Sequence, residues 1–221
     1  MKMQVFPKTI VFVGLLALAG CTSKIAEPEK YSGFLQDYSG LAKTTSPSGK
    51  PELRWVSPKY DPKNYSNIVF KPVTYFPQPA PATQADAQML ESIRAYTDTQ
   101  LKNALARHKT LASSPDAHSL IFRGAITHVE TNKEGLQFYE VLPVGLLIAG
   151  AEVASGHRTM NTHLYFEGEL IDAATQQPVM KVVRKTAGKT LSNESKPVTL
   201  ETLKEAIDSM ASDAAETRPA S

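Results

Sequence analysis

One cysteine and the residues just before it constrain this chain more than any other feature. Lys2 and Lys8 give a short basic region, Ile10 to Ala19 an apolar run, and Leu18-Ala19-Gly20-Cys21 a small-residue site that ends in cysteine. The apolar run is too short to cross about 30 Å of hydrocarbon comfortably as a helix, so it reads as a signal peptide. Cys21 is the sole cysteine among 221 residues and stands where a bacterial lipobox places one. By resemblance to such lipoproteins, the expectation is acylation of the Cys21 thiol, removal of residues 1–20 and then acylation of the new amino terminus. Several acyl chains make a stable membrane anchor where a single chain binds only marginally.

That address shapes the reading of composition. Without Lys2 and Lys8 the 24 basic residues fall to 22, matched by 22 acidic ones. A neutral mature chain without a block of like charge has no long-range field for phosphate, which argues against a nucleic-acid partner. Once Cys21 is acylated no thiol remains for a disulfide, so stability must come from a packed core. An apolar fraction of 42% supplies one.

Thr22 to Lys30 is polar and contains Pro28, the pattern of a flexible tether. Next, Phe34, Leu35, Tyr38 and Leu41 interrupt small polar residues between Tyr31 and Leu41. That mixture cannot form a regular amphipathic helix but can pin a segment onto a core surface; the alternative is an aromatic patch for carbohydrate or a partner. Ala42 to Pro51 reads as a surface loop, and Trp55 as core or rim packing. The series Ser32-Gly-Phe-Leu-Gln-Asp-Tyr-Ser39, Leu53-Arg54-Trp55-Val56 and Tyr65 to Val73 resembles a proteobacterial lipoprotein family of unknown function, domain-of-unknown-function family 3313. The resemblance covers nearly all of the mature chain and implies a single domain, with no reaction to carry over. By resemblance to enterobacterial lipoproteins, Thr22 rather than aspartate after Cys21 implies onward sorting to the outer membrane, on its periplasmic side.

Further elements follow from periodicity. Ile68 to Tyr75 has the β-branched and aromatic bias of a strand, broken at Pro72. Thr83 and Asp86 form a capping box for a helix whose apolar face is Met89, Leu90, Ile93, Tyr96, Leu101, Ala104 and Leu105. Ser119 to Thr131 alternates, placing Leu120, Phe122, Gly124, Ile126 and His128 on one side, with Leu136 to Leu142 as the expected hairpin partner. Arg158 to Ile171 alternates as the longest strand and pairs with Val179 to Thr186. Thr199 caps a last helix bearing Leu200, Leu203, Ile207 and Met210. The predicted architecture is α+β: an antiparallel sheet of about five to six strands with two helices packed on one face. Its expected divisions are a signal peptide (1–20), a lipidated N-terminus with tether and docking segment (21–52), a single α+β domain (53–213) and a disordered tail (214–221).

Chemical motifs are nearly absent. The chain has no nucleophile elbow, no His-Glu-x-x-His, no phosphate loop and no calcium loop. His128, His163 and Ser155-Gly156-His157-Arg158 remain, each with a plainer account as a solvated or hydrogen-bonded side chain. No metal site, cofactor or catalytic residue is expected. The most apolar stretch of the mature chain, Val144 to Ala154, is too short to span a bilayer. It reads as buried core or, alternatively, as a partner surface formed by Val144, Leu146, Leu147 and Ile148. Two functions follow: a non-enzymatic binding or envelope-assembly module held by its lipid anchor, with an envelope protein or a second copy as partner, or a cryptic hydrolase or small-ligand carrier using the sheet and residues 143–158. A deep polar pocket joining a histidine to carboxylates would favour the latter.

Overall fold

The computed structural model describes residues 24–131, 160–192 and 198–217. Among them lie β1 (Ala42–Thr45), β2 (Pro51–Val56), β3 (Asn67–Phe70), β4 (Thr74–Tyr75), α1 (Gln84–Leu105), β5 (Thr110–Ala112), β6 (Ser119–Thr131), β7 (Thr162–Asp172), β8 (Pro178–Ala187) and α2 (Leu200–Glu216). The strands form one sheet in the order β1-β2-β8-β7-β6-β3-β5, with β4 also pairing to β6.

The class is α+β, as expected, but the sheet has eight strands and is mixed. Its centre, β2-β8-β7-β6, is antiparallel, whereas β3 runs parallel to both β5 and β6. A helical crossover brings the chain back in the direction it left, and a hairpin cannot. β3 and β4 fall along the expected strand from Ile68 to Tyr75, whereas the unexpected β1 and β5 contain only four and three residues, too few to show a period. Thus the expected loop from Ala42 to Pro51 contains β1 and the start of β2, paired from Ala42↔Arg54 to Thr45↔Pro51. Pro72 falls in the gap between β3 and β4, where no ladder amide is required.

β6 pairs with β7, from Leu120↔Asp172 to Thr131↔Thr162. The proposed partner at 136–142 lies outside the described residues. β6, with 13 residues, is longer than β7, with 11. A register shift between Ile126 and His128 inserts one residue in β6. A one-residue insertion exchanges the faces of everything beyond it. His128 therefore leaves the side of Leu120, Phe122 and Ile126 and packs on Tyr165, ring centroids 5.1 Å apart, while Val129 joins the main core.

Both helices cover one face of the sheet. Thr83 accepts from the Asp86 amide and Asp86 answers the Thr83 amide; Thr199 and Thr202 close the same reciprocal cap on α2. Ile93, Leu101, Ala104 and Leu105 of α1 and Leu203, Ala206, Ile207 and Met210 of α2 are buried against Leu120, Phe122, Leu164 and Phe166. On the solvent side, Arg94 pairs with Glu91 and also with Asp98. α2 runs to Glu216, into the expected disordered tail.

The opposite face is covered by residues 24–41. Phe34 and Leu35 are buried with Leu53, Ala125, Tyr165 and Val183, and Tyr38 and Leu41 pack at the margin. Glu167 on β7, fully buried, accepts from the Ser32 amide at 2.9 Å and the Tyr38 hydroxyl at 2.6 Å. Lys181 reaches the Asp37 carboxylate at 2.7 Å and its carbonyl at 2.8 Å. Gly40 adopts φ +78°, and a Cβ there would stand 2.6 Å from the Trp55 ring; glycine lets the segment turn against the half-buried indole. The expected flexible tether is shorter than its sequence suggests, because Ala26 is already buried in this second core. The fold is therefore three layers: helices, sheet and N-terminal segment.

Candidate functional site

Cys21, the apolar run with Val144, Leu146, Leu147 and Ile148, and Ser155 and His157 all lie outside the described residues. His128 and His163 lie on the sheet face covered by the N-terminal segment. Burial lowers the His128 pKa to about 4, so its imidazole is neutral near pH 7. Burial also lowers that of His163. The nearby Glu130 carboxylate already accepts from the Tyr165 hydroxyl at 2.7 Å and pairs with Lys185 at 3.0 Å. The Glu130 contacts are filled, whereas both ring nitrogens of His128 are buried without a hydrogen bond among the described residues, unlike the solvated or hydrogen-bonded side chain expected. Among the described residues, no group of three or more His, Asp or Glu side chains could hold a metal.

The concave site is on the other face, between the sheet and the ends of the two helices. A cavity of about 300 Å³ is walled by Leu101 and Leu105 of α1, Met210 and Ala214 of α2, and Leu120 and Phe122 of β6. Phe166, Gly168 and Leu170 of β7 continue its floor, and Tyr60 and Pro62 close one side. The sequence produces this hollow in two ways. α1 ends at Leu105 while the sheet continues beneath it. Gly124 and Gly168 face each other across β6 and β7, where a Cβ on Gly124 would stand 2.5 Å from the Phe166 ring. Glycines at this pair let the aromatic rings lie down on the sheet.

One wall is charged. Arg184 on β8 pairs with Glu52 of β2 at 3.1 Å and with Asp213 of α2 at 2.7 Å, all three side chains being nearly inaccessible. Arg54 forms a second ion pair with Glu52 and contacts the Thr217 hydroxyl at 3.4 Å. Asp213 also accepts from the Ser48 amide and hydroxyl at 2.8 and 3.0 Å. Two guanidinium groups and two carboxylates thus neutralise one another across three elements. Burial pushes Glu52 up against the pull of the arginines. Burial also opposes ionisation of Asp213, but Arg184 and Ser48 outweigh it and hold that carboxyl below the usual range. Each carboxylate here is paired with an arginine.

Around the cavity's outer part, His108 meets the Ala214 carbonyl at 2.8 Å. Half-buried Lys109 makes no side-chain hydrogen bond or ion pair among the described residues. None of these cavity residues was marked as functional by the sequence patterns, although a signal existed. Arg184 occupies the inward phase of Met180 and Val182, and Asp213 follows Met210 by three residues on the buried face of α2. A charge in an apolar phase indicates either a partner or a site.

Comparison with known proteins gives a family and a class. The model for the family described as "Protein of unknown function (DUF3313)" matches residues 30–214. "Uncharacterized lipoprotein YdcL" of Escherichia coli is 56% identical over 214 residues, covering 97% of this chain and 96% of that one. Among solved structures, a PelC dodecamer from Paraburkholderia phytofirmans is 13% identical over 72% of this chain and 95% of its own, with a TM-score of 0.33. A protein of the DUF330 family from Xanthomonas campestris is 12% identical over 72% and 88%, with a TM-score of 0.34. Likenesses this distant carry nothing about assembly or activity. The chain belongs to DUF3313 and, by its likeness to a lipoprotein over nearly its whole length, is a membrane-anchored lipoprotein of that family of unknown function.

Proposed function

We propose that the protein is held by Cys21 in the outer membrane, facing the periplasm, and acts as a non-enzymatic binding module whose binding site is the cavity between the sheet and helix ends. The observation that carries the reading is the pairing of an apolar cavity with a neutralised charged wall. Glu52 and Asp213 are held by Arg184 and Arg54, leaving a pocket suited to taking up an apolar group. Thr22 after Cys21 supports the outer-membrane location.

Location and binding are tested separately. On a sucrose gradient the wild-type protein should sediment with outer membranes and Thr22→Asp with inner membranes. Cys21→Ser should remain an unprocessed precursor that takes up no palmitate analogue; acylation of that variant would remove Cys21 as the anchor. Full-length protein ejected from nanodiscs in native mass spectrometry should carry one non-covalent small-molecule adduct. Absence of any adduct after incubation with envelope lipid extract would overturn the binding role.

A further inference from the structure

We propose that the cavity takes the acyl chain of a single-chain amphiphile with an anionic head, the chain lying among Leu101, Leu105, Phe122, Phe166 and Met210 and the head meeting Lys109 at the rim. This inference rests on the binding reading and gives it a ligand class.

Volume argues for one chain. About 300 Å³ lies at the lower end of small-ligand sites, which run to roughly 1,000 Å³, so it suits one slender group better than a two-chain lipid. The lining argues for hydrocarbon. Leucine, methionine and phenylalanine side chains make most of the wall, and methionine adapts to an irregular flexible chain.

Charge argues for the head. Arg54 and Arg184 are balanced by Glu52 and Asp213, and Glu169 of the lining by Arg123 at 3.2 Å, which leaves Lys109 as the lining's lysine without an ion pair among the described residues. Its side chain is half-exposed, so an anion there can keep part of its hydration while the chain is buried. An unpaired lysine beside an apolar interior favours an anionic amphiphile over a neutral one by charge complementarity.

Supply also fits. Ala26 is already packed into the domain, and five residues of extended chain reach at most about 18 Å. The Cys21 anchor therefore keeps the domain beside the bilayer, where single-chain lipids arise and partition. Carboxylate and phosphate heads share the required chemistry and come from different sources, a free fatty acid and a lysophospholipid.

The test uses full-length acylated protein in phosphatidylcholine nanodiscs and three photoreactive probes with the same chain: palmitate, lysophosphatidylglycerol and monoacylglycerol. After illumination, peptide mapping should place the anionic probes on segments carrying Leu101, Leu105, Phe122 or Met210. Labelling should exceed that of the neutral probe by about tenfold. Ala214→Trp, which fills the cavity from its partly exposed side, should abolish labelling there. Lys109→Glu should lower anionic labelling roughly tenfold and leave the neutral probe unchanged, with both variants melting as wild type. Labelling by palmitate alone identifies free fatty acids as the source, and labelling by the lysolipid alone identifies a phosphate-headed one; either supports the proposal. Equal labelling by all three probes, or cavity labelling that survives Ala214→Trp, overturns it. If no probe labels the cavity while the native adduct persists, the ligand class is wrong and the binding role stands. Recovery of the lysolipid with its ester cleaved would instead overturn the non-enzymatic role.

Discussion

At the scale of single residues, Arg184 determines how β2, β8 and α2 meet. It lies in the interior with carboxylates on two sides, at 3.1 Å from Glu52 and 2.7 Å from Asp213. A buried charge is tolerated only when paired, and removing one partner commonly costs about 3–5 kcal/mol. Asp213→Asn should accordingly lower unfolding free energy by about 3 kcal/mol, measured by urea titration at pH 7. His128 gives a pH dependence of calculable sign. Its folded pKa is lowered to about 4 from an ordinary 6.5, so below pH 6.5 the unfolded chain binds a proton that the folded chain refuses. Stability therefore falls as pH drops from about 6.5 towards 4, by on the order of 2 kcal/mol from this residue. His128→Phe, neutral in both states, should flatten that part of the stability curve; an unchanged slope would show that the imidazole is not the group responsible.

At the scale of elements, the most legible features were those governed by local rules. Thr83 and Thr199 cap the helices where the sequence places them, and the apolar spacing of α1 identifies its buried side. Thr83→Ala should cost about 1 kcal/mol, seen as a lower midpoint with unchanged denaturant slope. Short strands were legible only in part: Ile68 to Tyr75 reads as one strand broken at Pro72 and forms β3 and β4, whereas β1 and β5 show no period and the parallel pairing has no local signal. β3, β4 and β5 contain four, two and three residues, and their partners are chosen by a crossover through α1. The β6 register shift has the same origin: the alternation from Ser119 to Thr131 looks continuous, but pairing with β7 inserts a residue before His128.

At the scale of the whole molecule, residues 24–41 form the third layer. They bury Phe34 and Leu35 and supply the hydrogen bonds that make the buried Glu167 tolerable. Leu35→Asp should place an unpaired charge in that layer and cost about 3 kcal/mol. It should also open sites between Lys24 and Leu41 to limited proteolysis. A variant with unchanged melting and unchanged cleavage would mean that the segment is only a leash. Because this layer begins within a few residues of Cys21, the proposed attachment point and the packed segment are close in the chain.

The sequence by itself determined the helix caps, the apolar helix faces and the long alternating strands. Each depends on residues within about one or two turns, or one strand, of each other. Only the tertiary structure decided the mixed sheet, the side on which His128 lies, the packing of the presumed tether and the cavity between the helix ends. Those features depend on which distant segments meet. Glu52, Arg184 and Asp213 are separated by more than a hundred residues at the extremes, yet share one buried ion network. No local pattern encodes that meeting; it exists because strand order and helix length bring three elements together and leave the sheet uncovered beside them.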